Sequence, residues 1–273
     1  IGVSGTGGGF KKFCRGETAI NDASRPIMPT ELKRCEENGV EFIELPIAYD
    51  GISVVTHKDN DWVDSMTVAE LKKIWEPAAQ GKINNWSQVR DSWPDKDLEL
   101  YGAGVASGTY DYFTKAIVGE EGASRGDFTS SEDDNVLVKG VSSDKNSLGF
   151  FGFAYYRQNT DKLDAVPIKA EGASKAVAPS TETIADGTYQ PLTRPLFIYV
   201  KAEAAKKKAV SEFVNYYLNE SASLVEDVGY VAPPESAYKK VRKRFENRVT
   251  GSMFGGEGSE VGVSIDELLE KST

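Results

Sequence analysis

Glu41-Phe42-Ile43-Glu44-Leu45-Pro46-Ile47-Ala48-Tyr49-Asp50-Gly51-Ile52-Ser53-Val54-Val55 is the stretch on which the fold turns. Its two ends, 41–45 and 52–55, have the apolar, β-branched and aromatic character of strands. Between them Pro46 fixes its own φ and biases Leu45 away from the helical region, so 45–51 reads as extended chain. A second stretch of the same kind is Leu192-Thr193-Arg194-Pro195-Leu196. A chain that leaves one lobe and later returns to it needs two such crossings, and a hinge at them permits closure around a ligand. Ordinary strand entries within a single domain would read in the same way.

Working outward, strand candidates at 98–101, 149–153 and 196–200 are interspersed with amphipathic helices. Thr67 to Trp75 places Val68, Leu71 and Trp75 on one face, and Thr109 to Ile117 brings Tyr110, Phe113 and Ile117 into register. The same periodicity marks 204–218 and 235–245. This alternation belongs to a helix-covered α/β architecture. With 273 residues, 40% of them hydrophobic, the chain can fill one large core or two lobes of ordinary size.

A net charge of −10, from 32 basic and 42 acidic residues, argues against a nucleic-acid partner, because counterion release needs a basic surface. An anionic ligand stays open, since a few local donors set the field of a site. No apolar run reaches the length of a membrane span, and no signal-peptide pattern stands at the N-terminus. The opening Ile1-Gly2-Val3 reads as the end of a strand whose earlier residues are missing. The two cysteines, Cys14 and Cys35, fit either a disulfide in an oxidising compartment or two buried thiols. With His57 as the single histidine, the usual His/Cys zinc cage cannot be built, and no metal or cofactor is expected.

Four elements carry the chemistry. Ser4-Gly5-Thr6-Gly7-Gly8-Gly9-Phe10-Lys11-Lys12 reads as a glycine-rich loop opening a short amphipathic segment. Its amides and the Thr6 hydroxyl suit an anion, or the run is a plain tight turn. It lacks the Gly-Lys-Ser/Thr of a Walker loop and the spacing of a dinucleotide fingerprint. Ala106-Ser107-Gly108-Thr109 opens a second helix, with Ser107 as its N-cap or as an oxyanion donor. Asn21-Asp22-Ala23-Ser24-Arg25-Pro26 holds an Arg in extended geometry, whose planar fork matches phosphate oxygens. Ser124-Arg125-Gly126 offers another guanidinium in a glycine-rich loop; either Arg alone also fits a solvated surface charge. Gly122-Ala123-Ser124-Arg125-Gly126 matches a hydrolase nucleophile elbow in form only, because no strand precedes it and His57 lies upstream of the Ser.

Taken in order, Gly5-Thr6-Gly7-Gly8-Gly9-Phe10, Asp22-Ala23-Ser24-Arg25-Pro26-Ile27, Ala48-Tyr49-Asp50-Gly51, Ser107-Gly108-Thr109-Tyr110-Asp111-Tyr112-Phe113, Ser131-Glu132-Asp133-Asp134-Asn135-Val136 and Leu148-Gly149-Phe150-Phe151-Gly152 closely resemble the phosphate-binding proteins of the PstS/SphX family. The resemblance implies a two-lobed type II periplasmic-binding-protein fold of the α/β class, with two crossing hinge strands and the ligand cleft between lobes. Lobe I then comprises 1–50 and 197–273, lacking its first strand, and lobe II comprises 51–196. By position it implies that Thr6, Gly7, Ser24, Arg25, Ser107, Gly108, Thr109 and Arg125 bind phosphate, with Arg25 as the principal cation, and that Cys14 and Cys35 form a disulfide.

The implied function is capture of inorganic phosphate and delivery to the membrane permease of an ABC transporter, by a monomer that is not an enzyme. Its location would be periplasmic or extracellular, with the missing N-terminal segment able to carry a lipid anchor. A receptor for another tetrahedral oxyanion such as sulfate or molybdate is the alternative, and a phosphate-dependent hydrolase using Ser107 a more distant one. Relatives place an Asp before the Ser-Gly-Thr, where this chain has Ala106. A carboxylate there accepts the proton of hydrogen phosphate, so Asp22, Asp50 and Asp111 stand as substitutes.

Overall fold

The computed structural model describes residues 6–255 together with Ile265 and Leu269. The expected strand end at Ile1–Val3, and Ser4 and Gly5 of the first glycine run, fall outside them. The chain opens with α1 (Thr6–Phe13), β1 (Ile20–Ala23), α2 (Pro29–Glu37) and β2 (Phe42–His57). Next come β3 (Met66–Thr67), α3 (Val68–Trp75), α4 (Trp86–Val89), β4 (Glu99–Ala103) and α5 (Gly108–Ile117). They are followed by β5 (Thr129–Ser131), α6 (Asp134–Val141), β6 (Ser147–Gly152), α7 (Phe153–Arg157) and β7 (Leu163–Ala165). β8 (Ile168–Lys169), α8 (Thr181–Ala185), β9 (Thr193–Lys201), α9 (Lys208–Asp227) and α10 (Glu235–Glu246) follow.

The chain divides into two compact units, one of Ile1–Asp50 and Arg194–Thr273, the other of Gly51–Thr193. It passes between them inside β2, and again at the first peptide of β9. Where the sequence suggests two strands joined by an extended segment, β2 is one strand of 16 residues, buried at every position but the last. The fixed φ of Pro46 is compatible with extended chain, and its missing N–H removes one ladder donor without interrupting the strand.

In the first unit β1 runs antiparallel to β9, with Ile20 opposite Val200 and Ala23 opposite Phe197, and β9 lies beside β2. Phe10 and Phe13 of α1 pack edge-on against Tyr199 of β9, Phe10 at 4.8 Å between ring centroids, and Phe42 of β2 joins them at 5.5 Å from Tyr199. Burying these four rings is what fixes α1 against the sheet. The Cys14–Cys35 disulfide ties the residue after α1 to α2. Glu44 of β2 is fully buried and accepts hydrogen bonds from the Tyr199 hydroxyl at 2.6 Å and the Met253 amide at 2.7 Å; burial pushes its carboxyl above the usual range.

In the second unit, residues 52–56 of β2 pair antiparallel with β6, and β4 lies parallel between β6 and β5. Trp75 of α3, Phe113 of α5 and Phe150 of β6 form the aromatic centre, Phe113 and Phe150 stacked at 3.8 Å. Gly102 lets this cluster sit on β4, because a Cβ there would come within 2.5 Å of the Phe150 ring. Strand β4 and helix α5 are thereby locked together, and the short loop 104–107 between them is held at both ends.

Candidate anion-binding site

The first donor cluster begins at Thr6. The sequence suggests a glycine loop ahead of a short helical segment, but among the described residues Thr6, Gly7, Gly8 and Gly9 already lie within α1. Glycine costs a helix about 1 kcal/mol per residue, so tertiary contacts must hold it. Two are visible: Phe10 and Phe13 are fully buried, and Gly9 admits Asn21 of β1, whose Oδ1 would stand 2.2 Å from a Cβ at position 9.

Thr6 Oγ1 lies 3.0 Å from Ser24 Oγ and accepts the Ser24 amide at 3.2 Å. The two hydroxyls carry two hydrogens and use one between themselves. The second hydrogen has no acceptor among the described residues, and an anion beside Thr6 and Ser24 could take it.

Arg25, expected as the principal cationic ligand, directs its fork at Glu31 instead. Its Nη1 donates to Glu31 Oε2 at 2.9 Å and its Nη2 to Glu31 Oε1 at 3.0 Å, with both side chains buried. Nη1 also donates to the Pro26 carbonyl at 3.1 Å, and Glu31 Oε2 accepts the Met28 amide at the start of α2 at 2.9 Å. The Ser-Arg-Pro turn is therefore pinned to α2 by a charge-assisted pair. Gly7 sits beside the guanidinium, where a Cβ would be 3.7 Å from Nη2, an ordinary contact.

The second cluster is the start of α5. Ser107 is its N-cap in extended geometry, and its Oγ accepts the Tyr110 amide at 3.1 Å. That bond fixes the rotamer and engages an oxygen lone pair, so the hydroxyl hydrogen is what Ser107 has left to give; no described residue takes it. Gly108 and Thr109 form the first turn, at the positive end of the helix dipole.

Arg125, read from sequence as a loop guanidinium, is 4% exposed. Its Nε donates to Asp127 Oδ1 at 2.5 Å and its Nη2 to Asp127 Oδ2 at 2.9 Å, while Nη1 reaches the carbonyls of Ile74 at 3.2 Å and Ile83 at 2.7 Å. The guanidinium holds the Asp127 carboxyl down at about 2. Both candidate arginines thus tie loops together. The neighbouring Ser124 hydroxyl donates to the Arg125 carbonyl at 2.8 Å and lies 2.8 Å from the Tyr110 hydroxyl, an arrangement with no imidazole in it.

Of the carboxylates considered from sequence, Asp50 is buried and accepts Arg194 Nη2 at 2.8 Å and Nε at 3.2 Å. Asp22 stands on the exposed side of β1, and Asp111 is in the first turn of α5. Sequence reasoning missed Glu132, whose Oε1 accepts the Ala106 amide at 3.1 Å. It also missed Glu31 as the partner of Arg25. No capping-box signature marks Glu31, because the N-cap of α2 is Met28, which makes no side-chain cap bond; nothing local marks Glu132 either, because its contact is 26 residues distant. Among the described residues no group of three or more His, Cys, Asp or Glu is placed to hold a metal ion.

The chain matches the PBP superfamily domain over residues 1–221. It is 50% identical to Protein SphX of Synechococcus elongatus over 99% of this chain and 79% of that protein. It is 40% identical to the phosphate-binding protein PstS of Staphylococcus epidermidis over 87% of this chain and 71% of that one. Its structure is similar to that of a putative phosphate ABC transporter substrate-binding protein with bound phosphate from Clostridium perfringens. The TM-score is 0.63 at 26% identity, over 84% of this chain and 85% of the other.

Proposed function

This chain belongs to the PstS/SphX family of phosphate-binding proteins within the PBP superfamily, and from that premise we propose how it holds its ligand. Its architecture is the type II periplasmic-binding-protein fold, and it acts as the substrate-binding component of a phosphate ABC transporter rather than as an enzyme. It takes up inorganic phosphate and hands it to a transporter permease.

The finer assignments are ours. The donors are Thr6, Gly7 and Ser24 in the first unit, and Ser107, Gly108 and Thr109 in the second. Arg25 and Arg125 serve by holding the donor loops in place and by their positive charge, with their forks committed to Glu31 and Asp127. The observation that carries this reading is the Ser107 hydroxyl, which accepts the Tyr110 amide of its own helix and keeps its hydrogen to donate outward. The unprotonated oxygens of a tetrahedral oxyanion accept hydrogen bonds, and hydroxyl and amide donors match them. The protein works as a monomer outside the cytoplasmic membrane; the Cys14–Cys35 disulfide suits an oxidising compartment.

Isothermal titration with phosphate, sulfate and molybdate tests the function. Saturable binding of one phosphate per chain, with the other two anions much weaker, is the expected result. A preference for sulfate or molybdate would move the protein to another oxyanion class.

A further inference from the structure

The loop between β4 and α5 carries a carboxylate that does not come from the loop itself. Glu132, one residue beyond β5, reaches back so that Oε1 accepts the Ala106 amide at 3.1 Å. The carboxyl lies directly on Gly104: a Cβ at that position would stand 1.9 Å from Glu132 Oε1 and 2.3 Å from its Cδ. Glycine at 104 is thus the seat of this side chain. Ala106 immediately precedes Ser107, the N-cap whose hydroxyl hydrogen is available for an anion. Glu132 Oε2 has no hydrogen-bond partner among the described residues, whereas Asp50 is already matched by Arg194.

We propose that Glu132 is the selectivity residue of this chain, the acceptor for the proton of hydrogen phosphate, brought to the start of α5 from the segment that follows β5. The inference rests on the phosphate-binding reading above and adds to it the group that discriminates. Hydrogen phosphate carries an O–H that donates to a carboxylate oxygen. Sulfate at neutral pH carries none, so beside an ionised carboxylate it meets charge repulsion with no compensating bond. A carboxylate at 106 would achieve this locally; with Ala at 106, the amide of that residue instead anchors the carboxylate of Glu132.

The test is competition calorimetry of phosphate against sulfate for the wild-type protein, Glu132→Gln and Gly104→Ala. Gln retains an oxygen for the Ala106 amide and removes the charge. Ala at 104 leaves Glu132 in the chain but evicts its carboxyl from the seat, and the displaced group is the end of a flexible side chain, so the fold is retained. Both variants are expected to lose at least about tenfold of the phosphate-over-sulfate ratio, with part of the change appearing as tighter sulfate binding. A merely structural role for Glu132 would weaken both anions together and leave the ratio unchanged, and that outcome overturns the proposal. A wild-type protein that binds phosphate with an unaltered ratio in both variants likewise rejects Glu132 while leaving the phosphate reading intact. A wild-type protein that fails to prefer phosphate rejects both.

Discussion

Ser107 is aimed by the amide of Tyr110, three residues along its own helix, whereas Thr6 is aimed by the amide of Ser24, eighteen residues away on a different element. The first arrangement is local, and any helix that starts with Ser-Gly-Thr will form it. The second exists only while α1, the Ser-Arg-Pro turn and α2 are held together, by the Arg25–Glu31 pair and the Cys14–Cys35 bond. Two donor clusters of similar chemistry therefore differ in what sustains them. A local device should tolerate damage elsewhere in its unit, and a tertiary one should fail with its supports.

The sharpest way to break this comparison is Arg25→Ala. Removing one member of a buried, bidentate pair leaves the Glu31 charge uncompensated, and the expected loss of stability is about 3–5 kcal/mol. Urea denaturation reads it as a shifted midpoint. An unshifted midpoint with phosphate binding abolished would instead make Arg25 a direct ligand and not a support. Next in size is the double substitution Cys14→Ser with Cys35→Ser, which frees a loop closed over a sequence separation of 21 and should cost about 3 kcal/mol. Hydrogen exchange should show the amides of α1 and α2 losing protection while those of α5 keep theirs. Equal loss in both helices would show that the α5 cluster depends on the same supports.

A smaller effect is expected from Ser107→Ala, which removes an N-cap at a cost of about 1 kcal/mol in thermal or urea unfolding. A cost approaching that of Arg25→Ala would mean that the second cluster is also a tertiary construction. The smallest effect concerns acid. Because Arg125 and the Gly81 amide hold Asp127 at about 2 against a free value of 3.8, its pairing stabilises the fold above pH 3.8, and that contribution disappears as pH falls toward about 2. The carboxyl is about one-third exposed, so solvent weakens the effect. Asp127→Asn should flatten this part of the acid limb in urea midpoints measured across the interval. An unchanged limb would show that the loop pair contributes nothing to stability.

What the sequence made legible follows the same division. The helices at α3, α5, α9 and α10 and the strands at β4, β6 and β9 were visible because their apolar residues repeat at helical or strand spacing, and burial follows that spacing. Ser107 was legible as a cap because a Ser stands immediately before the helical repeat of α5. Less visible was β2 as one strand, since Pro46 and Gly51 mimic a break that full burial on both sides overrides. The helical state of Gly7, Gly8 and Gly9 was hidden because glycine disfavours helix locally, and only the packing of Phe10, Phe13 and Asn21 reverses that preference. Arg25 and Arg125 were recognised as important guanidiniums, but a single residue type cannot reveal that Glu31 and Asp127 occupy them. Glu132 was the hardest to see, because its relation to Ser107 is made across two parallel strands, with Ala103 of β4 opposite Ser131 of β5.

The central claim is that the hydroxyl hydrogen of Ser107 is given to phosphate. Its most direct test is calorimetric titration of phosphate into Ser107→Ala beside the wild-type protein, both confirmed folded at the temperature used. A charge-assisted hydrogen bond contributes about 1.5–3 kcal/mol, so the variant should bind phosphate roughly ten- to a hundredfold more weakly. An unchanged dissociation constant would contradict the account, leaving Ser107 as a helix cap alone.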